Sequence, residues 1–281
     1  MIPAKFDYER AASVESAVRL LATYGEDAKL LAGGHSLLPL MKLRLARPSV
    51  LVDIGRLREL SYVRDEGSWV SVGALTRHRD VETSDVLRAS VPLLAAAAAE
   101  VGDPQVRHRG TIGGSLAHGD PASDLPAVVL ALSATLVVHG PSGVREIPAS
   151  EFFAGFLETA LADDEVLTEI RIPKATAGTG GWSFQKFNRR AQDWAIVGVA
   201  AARFNGGSSV PAGVALVNMA TTPVRATAVE SALAGGASAA EAAAHAADGL
   251  EPPSDLNASP DYRRHLATVL VRRALEEAGF S

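Results

Sequence analysis

Two glycine pairs, each placed where extended chain must turn, constrain this sequence more than any other feature. Ala28-Lys29-Leu30-Leu31-Ala32 is a short apolar run suited to a buried strand, and it enters Gly33-Gly34-His35-Ser36. Leu37-Leu38-Pro39-Leu40-Met41-Lys42-Leu43 then reads as a helix start with proline in its first turn. A strand that delivers two residues without Cβ to a turn, with a helix start behind them, sets backbone N–H groups where they can face an anion. Gly110-Thr111-Ile112-Gly113-Gly114-Ser115-Leu116-Ala117 repeats this chemistry about eighty residues later, so two glycine loops can converge on one diphosphate. Neither segment is GxGxxG or GxxxxGK(S/T), which disfavours the usual dinucleotide fold and the P-loop and calls for a third nucleotide-binding architecture. Taken singly, each pair is also what an ordinary turn carries.

Around these loops the pattern is mixed α and β. Ser13–Tyr24 opens with a serine cap, carries Glu15 in its first turn, repeats apolar residues at Val14, Ala17, Val18 and Leu21, and stops at Gly25, which predicts an amphipathic helix. Strands are expected at Val50–Ile54, Trp69–Ala74 and Ala134–Val138, and an alanine-rich helix at Pro92–Val101. Thr176–Gly181 is a small-residue linker, followed by three extended runs, Trp182–Phe187, Ala195–Phe204 and Ala212–Met219. Helices are expected at Pro223–Leu233, Ala239–Ala247 and Asp261–Ala278. The change of texture places a domain boundary near residue 177.

Composition removes several function classes. The net charge of −5 is spread over both halves without a basic block, which argues against nucleic-acid and anionic-membrane partners. With no cysteine among 281 residues, the chain supplies no thiolate for an iron–sulfur cluster, a zinc site or a nucleophile, and its seven histidines lack metal-ligand spacing. No metal site is expected, and redox chemistry would need an organic cofactor. Pro126–Val138, the longest apolar stretch, is interrupted by Ser133 and Thr135, too short for a bilayer, and reads as a buried helix followed by a strand. Met1-Ile2-Pro3-Ala4-Lys5-Phe6-Asp7 is not a secretory signal, so a cytoplasmic chain is expected.

The segments AGGHSLLPLMKLRLARPSVLVDI and TIGGSLAHGDPASDLPAVVLAL, in this order, resemble the FAD-binding medium subunit of molybdenum hydroxylases, the xanthine dehydrogenase family, and most of all its aerobic carbon monoxide dehydrogenase type. The resemblance covers the whole chain and implies an α+β fold: a two-lobed FAD-binding domain of PCMH type at 1–177, with lobes of about 1–60 and 61–177, and a smaller C-terminal domain at 178–281 built from a three-stranded sheet plus helices. It implies that Lys29, Leu30, Leu31, Ala32, Gly33, Gly34, His35 and Ser36 wrap the pyrophosphate and adenosine side of FAD. Thr111, Gly113, Gly114, Ser115 and Ala117 would approach from the other lobe, with Thr76, Gly102, Gly110 and Leu167 completing the cofactor set.

By the same resemblance Asp124 hydrogen-bonds ribityl or ribose hydroxyls, although a helix N-cap before Pro126 is an equal reading of the residues alone. Lys186 matches a lysine beside the isoalloxazine ring, where a cation favours the reduced flavin; its alternative is a solvated strand lysine. Trp194 stands where related subunits carry tyrosine near the ring, which keeps stacking and loses a phenol, and it could equally be a core aromatic. His35 and His118 read as turn histidines without a proton-transfer role.

The implied function is an electron-transfer subunit of a heterotrimeric molybdenum hydroxylase. A small 2Fe-2S subunit and a large molybdopterin-binding subunit are the implied partners, in a dimer of heterotrimers, and electrons leave through FAD to an external acceptor. A self-sufficient FAD-dependent oxidase or NAD(P)H oxidoreductase on the same fold would need its own acid/base pair and substrate domain, and neither is visible. A third reading is a nucleotide-binding scaffold without redox turnover.

Overall fold

The computed structural model describes residues 1–204 and 210–281. The chain opens with a parallel three-stranded sheet in which β1 (Asp7–Arg10) and β2 (Ala28–Leu31) flank β3 (Val50–Asp53). Helix α1 (Val14–Tyr24) makes the crossover, started by a capping box in which Ser13 Oγ accepts from Ser16 N and Ser16 Oγ accepts from Ser13 N. Its buried face, Ala17, Val18 and Leu21, joins Val50, Val52 and Leu60 in one apolar cluster. Helix α2 (Leu37–Lys42) follows the first glycine pair as expected. The sequence reading passed over β1, because Asp-Tyr-Glu-Arg is polar and largely exposed; only its pairing with β3 makes it a strand.

A second region begins with β4 (Val63–Asp65) and β5 (Trp69–Gly73), then runs through six helices: α3 (His78–Thr83), α4 (Asp85–Ser90), α5 (Pro92–Ala99), α6 (Pro104–Arg107), α7 (Ile112–His118) and α8 (Asp124–Ala131). Strands β6 (Thr135–Gly140) and β7 (Gly143–Pro148), helix α9 (Ala149–Phe152), the hairpin β8 (Phe153–Gly155) with β9 (Glu158–Thr159), and β10 (Val166–Pro173) complete it. The strands form an antiparallel sheet of order β4-β5-β10-β6-β7, in which β10 sits centrally although it comes last in sequence. Pro126–Val138 is a buried helix followed by a strand, as its interrupted apolar pattern predicts.

In the last region β11 (Trp182–Phe187), β12 (Val197–Arg203), β13 (Ala212–Val217) and β14 (Val224–Arg225) form one antiparallel sheet, covered on one side by α10 (Thr227–Ala234), α11 (Ala239–Ala243) and α12 (Pro260–Glu277). The sheet has four strands, not the expected three. Val224 and Arg225 pair with Leu216 and Ala215, and Arg225 bonds Glu230 at 2.7 Å and Ser133 Oγ at 2.9 Å. Those bonds hold the two residues extended, so the helix expected from Pro223 starts at Thr227.

β13 is buried on both faces because its other side packs on α8, which explains its unbroken apolar run. The approach is so close that a Cβ at Gly213 would lie 1.9 Å from the Ala131 carbonyl oxygen. One core cluster therefore contains both α8 and residues Ala200, Ala202, Ala215 and Val217 of the last sheet. Among the described residues no helix is long and apolar enough to cross a membrane.

Candidate functional site

The first glycine pair follows β2 and lines a cleft of about 700 Å3 between the opening sheet and the second region. Gly34 has φ +77°, a left-handed conformation open to glycine at no steric cost. Gly33 serves differently: a Cβ there would stand 2.3 Å from the Arg109 carbonyl oxygen and 2.9 Å from Gly110 Cα. The two motifs therefore touch backbone to backbone. Among the described residues the N–H groups of Gly33, Gly34, His35 and Ser36 donate to no protein acceptor, while the Gly34 carbonyl accepts from Leu38 N at 3.0 Å. Four open donors on one turn form the anion-facing array read from the sequence.

The second motif differs from expectation. It is not a loop but the first turn of α7, capped by Thr111, whose Oγ1 accepts from Gly114 N at 3.1 Å. Its leading N–H groups are engaged: Ile112 N donates to Thr76 O and Gly113 N to Ala74 O at 2.8 Å. A Cβ at Gly113 would lie 2.6 Å from the Ala74 carbonyl oxygen, so this glycine lets α7 press against the end of β5, whereas one at Gly114 would meet only Thr111 Oγ1. The pair thus shapes the wall of the cleft, and the donors come from the first motif.

At another part of the cleft Lys186 and Asp124 form a buried ion pair, Nζ to Oδ2 2.8 Å, with side chains 4% and 6% exposed. Lys186 Nζ also donates to the Glu100 carbonyl oxygen at 2.9 Å, leaving one of its three donors. The solvated-lysine reading is therefore excluded. Asp124 is the first residue of α8, with Ser123 at the cap position, so it is not an N-cap either. Burial pushes its carboxyl up to about 6 even though Lys186 opposes the shift, and its Oδ1 is buried without a donor. Trp194 is 69% exposed on the cleft's edge, which rules out a core aromatic.

The cleft gathers the expected residues from Lys29 to Ser36, together with Gly102, Gly110, Thr111, Gly113, Gly114, Ser115, Ala117, Asp124, Leu167, Lys186 and Trp194. Thr76 stands apart: it is 2% exposed, and its hydroxyl donates to Tyr62 O and accepts from Tyr62 N, so it ties β4's entry to the turn after β5 and does not line the cleft. His35 and His118 both line it.

Sequence reading missed His78, which is 4% exposed against Gly110, its ring held down to about 4 by burial and hence neutral. It also missed Leu157, which lines the cleft from the β8–β9 turn with φ +59°. Neither has a local pattern that announces it. Across the mouth, Lys29 and Asp163 pair at 3.7 Å, both more than half exposed, a contact worth little in stability.

The residues fit a flavin dinucleotide. Unsatisfied backbone donors at the turn suit a diphosphate, an orphaned buried carboxylate oxygen beside the cleft suits a neighbouring hydroxyl, and apolar walls from Val101, Val106, Leu161 and Leu167 suit ring systems. Residues 4–175 match the model of the FAD binding domain in molybdopterin dehydrogenase, and residues 182–278 that of the CO dehydrogenase flavoprotein C-terminal domain. The chain is 47% identical to the carbon monoxide dehydrogenase medium chain of Hydrogenophaga pseudoflava, covering 99% of this chain and 98% of the relative. It is 39% identical to the 6-hydroxypseudooxynicotine dehydrogenase complex subunit alpha of Paenarthrobacter nicotinovorans, over 99% and 96%. The solved carbon monoxide dehydrogenase from Hydrogenophaga pseudoflava lacking the Mo-pyranopterin moiety superposes with a TM-score of 0.94 at 48% identity, covering 99% of this chain and 98% of the other. The chain belongs to the FAD-binding family of molybdopterin dehydrogenases and carries the C-terminal domain of the CO dehydrogenase flavoproteins.

Proposed function

We propose that this chain is the FAD-carrying electron-transfer subunit of a molybdenum hydroxylase of the carbon monoxide dehydrogenase type. The observation that carries the proposal is the cleft: of the residues singled out as flavin contacts, all but Thr76 line one cavity. Bound FAD supplies the two-electron carrier, and the chain supplies position and field. In this reading the open N–H groups of Gly33 to Ser36 hold the diphosphate. Gly33 keeps the first turn against the second motif, Gly113 seats α7 on the end of β5, and Asp124 Oδ1 accepts from a hydroxyl of the ribityl or ribose chain. Lys186 fixes Asp124 and compensates its charge, so the field it adds near the flavin is that of a pair, weaker than that of a lone cation.

The division of the chain at 177/178, with lobes of about 1–60 and 61–177, belongs to the same proposal. So does a cytoplasmic location. The relay to the flavin would come from a small 2Fe-2S subunit, because a chain without cysteine cannot ligate such a cluster, and substrate oxidation would take place on a large molybdopterin-binding subunit. A dimer of such heterotrimers is the assembly we propose. Neighbouring reading frames should encode both partners. Co-expression with them should give a complex with one FAD per copy of this chain and flavin that is reduced by the substrate of the large subunit. Robust substrate oxidation by this chain alone would replace the subunit reading with that of a self-sufficient flavoenzyme.

A further inference from the structure

Beside the first glycine turn, sharing Leu31, Ala32 and Gly33 with the main cleft, lies a second cavity of about 280 Å3. Its wall includes Gly33, Asp53, Gly55, Arg56, Arg77 and Arg109. Three arginines and one aspartate therefore line it, with Arg56 and Arg109 exposed at its rim and Arg77 half-buried, and the carboxylate is already engaged: Asp53 Oδ1 accepts from Gly55 N at 2.7 Å, and Oδ2 accepts from the Tyr8 hydroxyl. None of the three arginines forms an ion pair with a carboxylate of the described residues. Arg77 instead donates to the Arg109 carbonyl oxygen, which brings two like charges together, and burial with the Arg109 charge holds Arg77 below its usual range. The balance of the cavity is an excess of two positive charges in a concave site, with planar fork donors whose geometry matches tetrahedral oxyanions.

We propose that this cavity is an oxyanion site that takes a phosphate group, distinct from the flavin cleft and coupled to it. The coupling follows from shared backbone: Leu31, Ala32 and Gly33 line both cavities, and Arg109 supplies the carbonyl that Gly33 abuts. A phosphate drawn between Arg56, Arg77 and Arg109 neutralises their repulsion and fixes the seam between the two motifs. That seam must open for a dinucleotide to leave, so occupancy of the rear site tightens flavin binding by slowing its loss, and at equilibrium bound flavin raises the rear site's affinity by the same factor as the rear site raises the flavin's. The readout rests on the assignment of the main cleft to FAD.

The test uses the assembled complex with its flavin bound. Release of FAD into excess buffer is followed by the rise in free-flavin fluorescence, at constant ionic strength, with chloride replaced stepwise by inorganic phosphate in one arm and with ADP added in the other. Release should slow about fivefold at saturation, the lower end of couplings between sites. A response to inorganic phosphate identifies the free anion as ligand, and a response to ADP alone identifies a nucleotide phosphate. Arg56→Gln and the pair Arg56→Gln/Arg77→Gln should retain FAD yet lose the dependence. A release rate indifferent to both anions, an equal response in the double variant, or faster release with phosphate would overturn the proposal; the last would mean that the arginines serve the flavin's own diphosphate. A rear site covered by an acidic segment of a partner subunit would give the indifferent result. A complex that contains no FAD at all would instead count against the functional reading itself.

Discussion

Replacing Gly33 by alanine adds one carbon at the seam between the two motifs. That carbon would lie 2.3 Å from the Arg109 carbonyl oxygen and 3.0 Å from its carbonyl carbon, where ordinary contact starts near 3.4 Å, so the walls must part by about 1 Å. The obstacles are backbone atoms and cannot swing aside. Overpacking of this kind costs about 1–3 kcal/mol. If the strain is felt in the closed, flavin-holding form, it weakens retention by about five- to 150-fold, at 1.4 kcal/mol per factor of ten. The assay is FAD content and FAD release rate of the co-expressed complex, with thermal unfolding alongside. Gly67→Ala is the control. It sits at φ +81° in the β4–β5 turn with nothing within 4 Å of its Cβ, so it carries left-handed strain of about 1 kcal/mol without touching the cleft. Wild-type FAD content and release in Gly33→Ala together with normal unfolding, or an equal loss of flavin in Gly67→Ala, would refute a flavin-holding role for the seam.

Other perturbations follow from the same geometry. Lys186→Met leaves Asp124 buried without its counter-charge, which should destabilise the protein by about 3–5 kcal/mol, whereas the added change Asp124→Asn should recover most of it; chemical denaturation measures both. Lys186→Met should lower the flavin midpoint potential and Asp124→Asn should raise it, and spectroelectrochemistry that finds neither shift reduces the pair to a structural role. The Asp124 carboxyl is raised from 3.8 to about 6, so the native state holds its proton more tightly and stability attributable to it falls as pH rises from about 4 to 6; Asp124→Asn should abolish that slope in thermal unfolding. His78 acts oppositely in an overlapping window, its depressed value removing stability as pH falls from 6.5 towards 4, and His78→Phe should flatten that arm. Gly213→Ala should destabilise the chain by more than about 2 kcal/mol, because a Cβ 1.9 Å from the Ala131 carbonyl forces β13 off α8, as denaturation curves would record.

What the sequence made legible was local chemistry. The strand, glycine pair and helix start around Gly33 were readable because period, φ freedom and capping are written within a dozen residues. The second motif was misread as a loop because Gly113 and Gly114 look like turn residues, while Thr111 capping a helix across them depends on Ala74 and Thr76 accepting the flanking N–H groups. The two members of each pair could not be told apart either: Gly33 and Gly113 are required by neighbours distant in sequence, Gly34 by its own backbone angle. Lys186 could not be distinguished from a solvated lysine, since Asp124 and Glu100 lie in other elements and only the packing of β11 on α5 brings them together. For the same reason the central place of β10 and the short edge strand β14 have no local signature. The partners and the flavin came through resemblance rather than through any residue's chemistry.

The most direct test of the central claim is FAD stoichiometry in the complex purified after co-expression with the neighbouring reading frames, compared with a complex carrying Gly33→Val and Gly113→Val. The wild type should hold one FAD per copy of this chain, with flavin absorbance that bleaches when the large subunit receives its substrate. The glycine variant should assemble without flavin and show no such bleaching. Full FAD occupancy in that variant would mean that the flavin lies elsewhere than between these two motifs.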